Sequence, residues 1–240
     1  MPELTAASFI AALEANQSDA ELAKIGRYFK SGDGEYGAGD RFIGVRMGVV
    51  FALAKQFVGM ELEQIEALLE SDIHEARAGA VSIMSKQFAL KDTGATRRED
   101  LAQLYLRRHD RINNWDLVDL GAHQVLGAWL VERKRDVLYV LAKSESLWER
   151  RSAMFATMAF VRRGDLDDVF AIAALLIGDR EDLIHKVVGG MLREAGKHDR
   201  RRLAGFVEAH RLVMPRVMLR YAIEHFSPEE RAGYLKLPTG

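Results

Sequence analysis

Five polar residues recur at nearly constant spacing, each near the start of an amphipathic helical stretch. They are Arg77 in EARAGAV, Asn114 in INNWDLV, Arg151 in ERRSAMF, Lys186 in IHKVVGG and Arg216 in MPRVMLR, at successive steps of 37, 37, 35 and 30 residues. A period of about 30 to 40 residues, each unit holding two amphipathic helices, is the mark of an α-solenoid built from HEAT-like helix pairs. No segment shows the strict apolar and polar alternation of a half-buried strand. The chain is therefore expected to be all-α, a single HEAT-like domain over residues 1–240, with one basic or amide group per repeat along a common face.

Capping signals support this reading. Thr5 can start a helix running to Ala15, and Ser18 a second one through Lys30, because their hydroxyls can accept from the unpaired N–H groups of a first turn. Further helices are expected over 46–57, 61–69, 73–88, 96–107, 115–131, 135–142, 147–161, 166–177, 182–194, 200–209, 215–225 and 228–234. The exception is the stretch 31–44, SGDGEYGAGDRFIG, where five glycines and no helical period predict an ordered loop pinned by Tyr36, Phe42 and Ile43. It lacks the lysine and hydroxyl residue of a P-loop and follows no strand, so nucleotide binding is not expected.

Composition narrows the function classes. With no cysteine in 240 residues there is neither a disulfide framework nor a thiol nucleophile, which fits a reducing compartment; a cytoplasmic location is expected. No basic segment followed by an apolar run opens the chain, and the run 170–178 is too short to span a bilayer. The net charge of −1 conceals an asymmetry: residues 1–100 carry 11 Lys and Arg against 16 Asp and Glu, the remainder 23 against 19. A polyanionic partner is expected to meet the C-terminal part. The run Lys197–Arg202, KHDRRR, is by default a solvated charge cluster and alternatively a phosphate contact.

One segment stands out chemically. In NNWDLVD, Trp115 and Asp119 are four apart and project from one side of one helix. A tryptophan in a helical repeat ordinarily belongs to the core, but Asn113, Asn114 and Asp116 make this helix start polar. Asp119, among Leu117, Val118 and Leu120, must find a partner, be protonated or face a cleft. A structural pairing with a neighbouring arginine and a functional site both satisfy that requirement. Asp116, Asp119 and His123 could be drawn as metal ligands, but they form no known ligand motif; neither metal nor cofactor is expected. Trp148 and Arg151 repeat the pairing of an aromatic with a base in the next unit, Trp148 read as packing and Arg151 as facing the groove.

Taken together, GRYFKSGDGEYGAGDRFIGVR (26–46), NWDLVDL (114–120), LWERRSA (147–153) and DLIHKVVGGMLREAGK (182–197) resemble the HEAT-like repeat DNA glycosylases of the DNA alkylation repair (AlkD-like) family. The resemblance implies an all-α, cofactor-free enzyme that removes cationic N3- or N7-alkylated purines from duplex DNA. It implies Asp119 as the catalytic carboxylate, Trp115 as the aromatic facing the sugar and Arg151 as a phosphate ligand; Arg77, Asn114, Lys186 and Arg216, from the same spaced row, are expected as further DNA contacts. The implied partner is duplex DNA bearing alkylated purines, bound by a monomer. Two positions depart from the pattern. Gly190 stands where the family carries a second tryptophan, and the helix from Arg46 to Leu53 is poorer in basic and polar groups than its counterpart. Two other readings follow: a module of the same architecture that binds damaged or branched DNA without cleavage, and a protein-interaction scaffold.

Overall fold

The computed structural model describes residues 3–29, 37 and 39–236, so half of the glycine-rich stretch, 31–36 with 38, lies outside the described residues. Among the described residues the structure is helical, without strands beyond a single bridge between Arg41 and Ile73. None of the described helices is long and apolar enough to cross a membrane. The helices cluster into two compact units, divided after Trp129.

The first unit contains α1 (Ala6–Glu14), α2 (Asp19–Tyr28), α3 (Met47–Gln56), α4 (Leu62–Leu69), α5 (His74–Ala89), α6 (Ala95–Arg107) and α7 (Trp115–Gly121). Thr5 and Ser18 cap α1 and α2 as expected, accepting from the N–H groups of Ser8 and Glu21, contacts typically worth about 1 kcal/mol each. The central element is α5, packed against α3, α4 and α7 and buried along almost its whole length. Gly121 permits one of these approaches, since a Cβ there would sit 2.5 Å from the Tyr105 ring and 2.8 Å from Val81.

The helix expected over 115–131 is not continuous. After α7 the backbone widens into a π-helical stretch, Ala122–Gly127, before the short α8 (Ala128–Leu130), which ends at the boundary between the units. The Ser85 hydroxyl donates to the Leu120 carbonyl at 2.8 Å, taking up an acceptor where the hydrogen-bond ladder changes register. A side chain inserted into the ladder is a recognised origin of such irregularities.

The second unit holds α9 (Asp136–Leu141), α10 (Leu147–Ala156), α11 (Met158–Val161), α12 (Asp167–Leu175), α13 (Asp182–Gly196), α14 (Arg200–His210), α15 (Arg216–Ala222) and α16 (Pro228–Leu235). The stretch 147–161, read as one helix, breaks at Thr157, whose hydroxyl bonds back to the Met154 carbonyl at 2.7 Å. Such back-bonding bends helices. In each unit the helices bearing the spaced polar residues are neighbours: α5 packs on α7 in the first, and α13 packs on both α10 and α15 in the second. The repeat in the sequence thus corresponds to helix stacking within a unit.

Candidate functional site

Asn114 begins α7. Fully buried, it caps the helix by accepting from the Trp115 N–H at 2.8 Å, and Asp116 in the same turn accepts from the Leu117 N–H at 2.9 Å. From this anchored start Trp115 and Asp119 both reach the wall of one pocket of about 520 Å³. Its other walls are mainly apolar and aromatic, formed by Ile25, Phe29, Phe42, Val45, Met47 and Phe51. Trp115 is half-buried and stacks on Phe29, ring centroids 5.3 Å apart and planes 14° from parallel. One face of Trp115 thus packs, and the residue lines the cavity. The apolar turn from Met47 to Phe51, which looked poorly equipped to meet DNA, lines the same pocket.

Behind the aromatic wall lies a buried polar cluster that the sequence reading missed. His74, the first residue of α5 and fully buried, bridges two carboxylates: its Nδ1 lies 3.0 Å from Asp40 Oδ2 and its Nε2 2.8 Å from Asp116 Oδ2. Asp40 also pairs closely with Arg77 and accepts from Asn114 Nδ2 at 3.0 Å. Glu75, buried beside His74, accepts from three successive backbone N–H groups, those of Ile43, Gly44 and Val45, at 3.1, 2.9 and 3.2 Å. Gly44 sits at φ +78, in the left-handed region that glycine adopts without strain. The residues HEAR at the start of α5 therefore clamp the loop 40–45 from below.

These contacts fix charge. Burial disfavours the imidazolium form of His74, but hydrogen bonds to Asp116 and Asp40, with their charges, outweigh it and raise the pKa from 6.5 to about 9. Burial likewise disfavours the charged form of Asp40, and the bonds from His74 and Asn114 with the Arg77 charge overcome it, holding the carboxyl below its usual range. Two buried cations then face two buried carboxylates, the arrangement that makes charge burial tolerable. Arg77 and Asn114, expected on an open DNA-binding face, are instead committed to this cluster. Both are buried, 3% and 0% exposed. Asp116 faces His74, so it does not join Asp119 and His123 as a ligand set. Among the described residues no group of three or more His, Cys, Asp or Glu is placed to hold a metal ion.

In the second unit, Arg151 and Lys186 line one hollow of about 280 Å³ together with Phe155, Met158, Gly190 and Tyr221. Arg151 is largely buried and donates to the Leu183 carbonyl at 2.9 Å, and Lys186 pairs with Asp182 at 2.6 Å. A Cβ on Gly190 would meet nothing within 4 Å, so the space beside it is open. Arg216 donates to the Leu235 carbonyl at 2.8 Å, away from this hollow's lining. The KHDRRR run is engaged in ion pairs: Lys197 with Glu194, Arg200 with Glu230 and Arg202 with Asp167.

A family model for DNA alkylation repair enzymes matches residues 9–226. The chain belongs to that family. Membership brings with it a role in DNA repair, and both hollows fall within the matched span. Among solved structures, the fold is similar to a predicted DNA alkylation repair enzyme from Enterococcus faecalis, with a TM-score of 0.68 at 17% identity over 89% of this chain and 98% of that one. No curated protein matches. As a DNA alkylation repair family member, the chain presents a carboxylate beside an aromatic wall in one unit and cations lining a hollow at Gly190 in the other.

Proposed function

We propose that this protein is a monofunctional DNA glycosylase that hydrolyses the N-glycosidic bond of cationic N3- or N7-alkylated purines in duplex DNA, acting as a cytoplasmic monomer. The observation that carries the proposal is that Trp115 and Asp119 line one pocket from a helix whose first turn is tied down by buried ionic contacts. A cationic alkylpurine is already a good leaving group. As the C1′–N bond breaks, its electron pair leaves with the base and neutralises it, so no general acid is needed there. What remains is positive charge developing on the deoxyribose. A carboxylate at Asp119 stabilises that charge as it forms, and the Trp115 π face favours a cation over its surface. Water then adds its oxygen to C1′ and gives up a proton, leaving an abasic sugar. Arg151 and Lys186 are proposed to take backbone phosphates, the contacts that supply most affinity for duplex DNA.

The open space at Gly190 favours a second reading, in which the same architecture binds alkylated duplex without excising a base, because an aromatic wall worth about 1–3 kcal/mol of stacking is missing. Release of free base from duplex DNA carrying 7-methylguanine or 3-methyladenine decides between them. The glycosylase reading expects release well above spontaneous depurination. Binding without release selects the second reading, and neither binding nor release refers the chain to a protein-interaction scaffold.

A further inference from the structure

We propose that His74, bridging Asp40 and Asp116, is a positioning residue that fixes the first turn of α7 and with it the aim of Trp115 and Asp119 into the pocket. The inference deepens the glycosylase reading and rests on it for the reaction concerned. Three observations carry it. First, the two polar residues that open α7 are held from outside the helix by one connected group: Asp116 by His74, and Asn114 by Asp40, which His74 also bonds. Asp119 follows Asp116 by three residues, one turn along the same helix, so a change in the pitch of that turn displaces it directly. Second, the His74 ring backs the aromatic wall, its centroid 4.6 Å from Phe42 and 5.1 Å from Phe29, the ring on which Trp115 stacks.

Third, the charges balance only when His74 is protonated. The charged groups that face it are Asp40 from the loop and Asp116 from α7, and Arg77 from its own helix pairs with Asp40. Arg111 acts on Arg77, and the neighbouring Glu75 is held separately by three backbone N–H groups. A neutral or missing imidazole leaves one buried carboxylate without its cation. Such a group relaxes by moving or by taking up a proton, and either response loosens the start of α7.

Chemical rescue tests the proposal. His74 is buried but borders the pocket, so the space left by its ring in His74→Gly adjoins it. Single-turnover release of 7-methylguanine from a methylated duplex is measured for wild type, His74→Gly and His74→Gln, with duplex affinity measured in parallel. The expected result is a loss of about 10- to 100-fold in release rate for His74→Gly at nearly unchanged affinity, as follows from a small misplacement of reacting groups. Millimolar imidazole at pH 7 restores most of that rate, whereas pyrazole, of the same shape but uncharged, does not. A folded His74→Gly protein with the wild-type rate, or a loss that imidazole leaves unrepaired, overturns the proposal. Should His74→Gly fail to fold, His74→Gln is read by the Trp115 indole N–H resonance, assigned by comparison with Trp115→Phe. That resonance is expected to move in His74→Gln and when wild type is titrated through pH 9. A resonance that stays in place in both overturns the proposal even if base is released. One that moves while wild type releases nothing supports the positioning role and removes the glycosylase reading instead.

Discussion

Replacing His74 with glutamine changes how stability depends on pH, and the size of the effect follows from the buried cluster. In the folded chain the imidazole pKa rises from 6.5 to about 9, so between those values the native state binds one proton more than the unfolded state. Stability therefore falls with rising pH across that window, by about 1.4 kcal/mol per unit at most. The contribution is fully present below pH 6.5 and lost as pH passes through 9, about 3 kcal/mol in all. For a chain of this length that corresponds to roughly 6–12 °C in melting temperature. Urea denaturation of wild type and His74→Gln at intervals from pH 6 to pH 10 measures it directly. The glutamine variant is less stable at pH 6, and its curve is nearly flat where wild type declines, so the two converge toward pH 10. Parallel pH profiles for the two proteins, or an imidazole that titrates near 6.5 by NMR, would refute the account of a buried imidazolium between Asp40 and Asp116.

Two further outcomes are expected. Glu75→Ala leaves the N–H groups of Ile43, Gly44 and Val45 without their acceptor, costing on the order of 3 kcal/mol in urea denaturation, while Glu75→Gln costs less because it keeps an acceptor; an alanine variant as stable as wild type contradicts the clamp. Arg151→Ala weakens duplex binding and lowers the magnitude of the slope of log K against log salt by about one unit; an unchanged slope means that Arg151 serves only its bond to the Leu183 carbonyl.

The helices were largely legible because most carry a local apolar period and several carry a local cap, as at Thr5 and Ser18. The breaks were not. The π-helical turn after Gly121 depends on Ser85 reaching the Leu120 carbonyl from another helix, and the break at Thr157 depends on a hydroxyl rotamer. The placement of Trp115 and Asp119 in one pocket follows from an i, i+4 spacing that any helix imposes. The cluster behind them was hidden because its members are distant in sequence, Asp40 and Asn114 being 74 residues apart. Periodicity located Arg77 and Asn114 near helix starts but could not show that the loop 40–45 folds over them. A run of four residues, HEAR, with three ionisable groups at the start of a helix buried along nearly its whole length, was the available signal. Such groups can enter a core only with partners, and their partners had to come from elsewhere in the chain.

The most direct test of the central claim compares wild type with Asp119→Asn in single-turnover excision of 7-methylguanine from duplex DNA. The substitution keeps size and hydrogen-bonding capacity and removes the negative charge. Expected are release by wild type well above spontaneous depurination, a loss on the order of a hundredfold in the variant, equivalent to about 3 kcal/mol, and duplex affinity nearly unchanged. Equal rates of release from the two proteins, or rates that match spontaneous depurination in both, would contradict the claim and leave Asp119 as a structural carboxylate of α7.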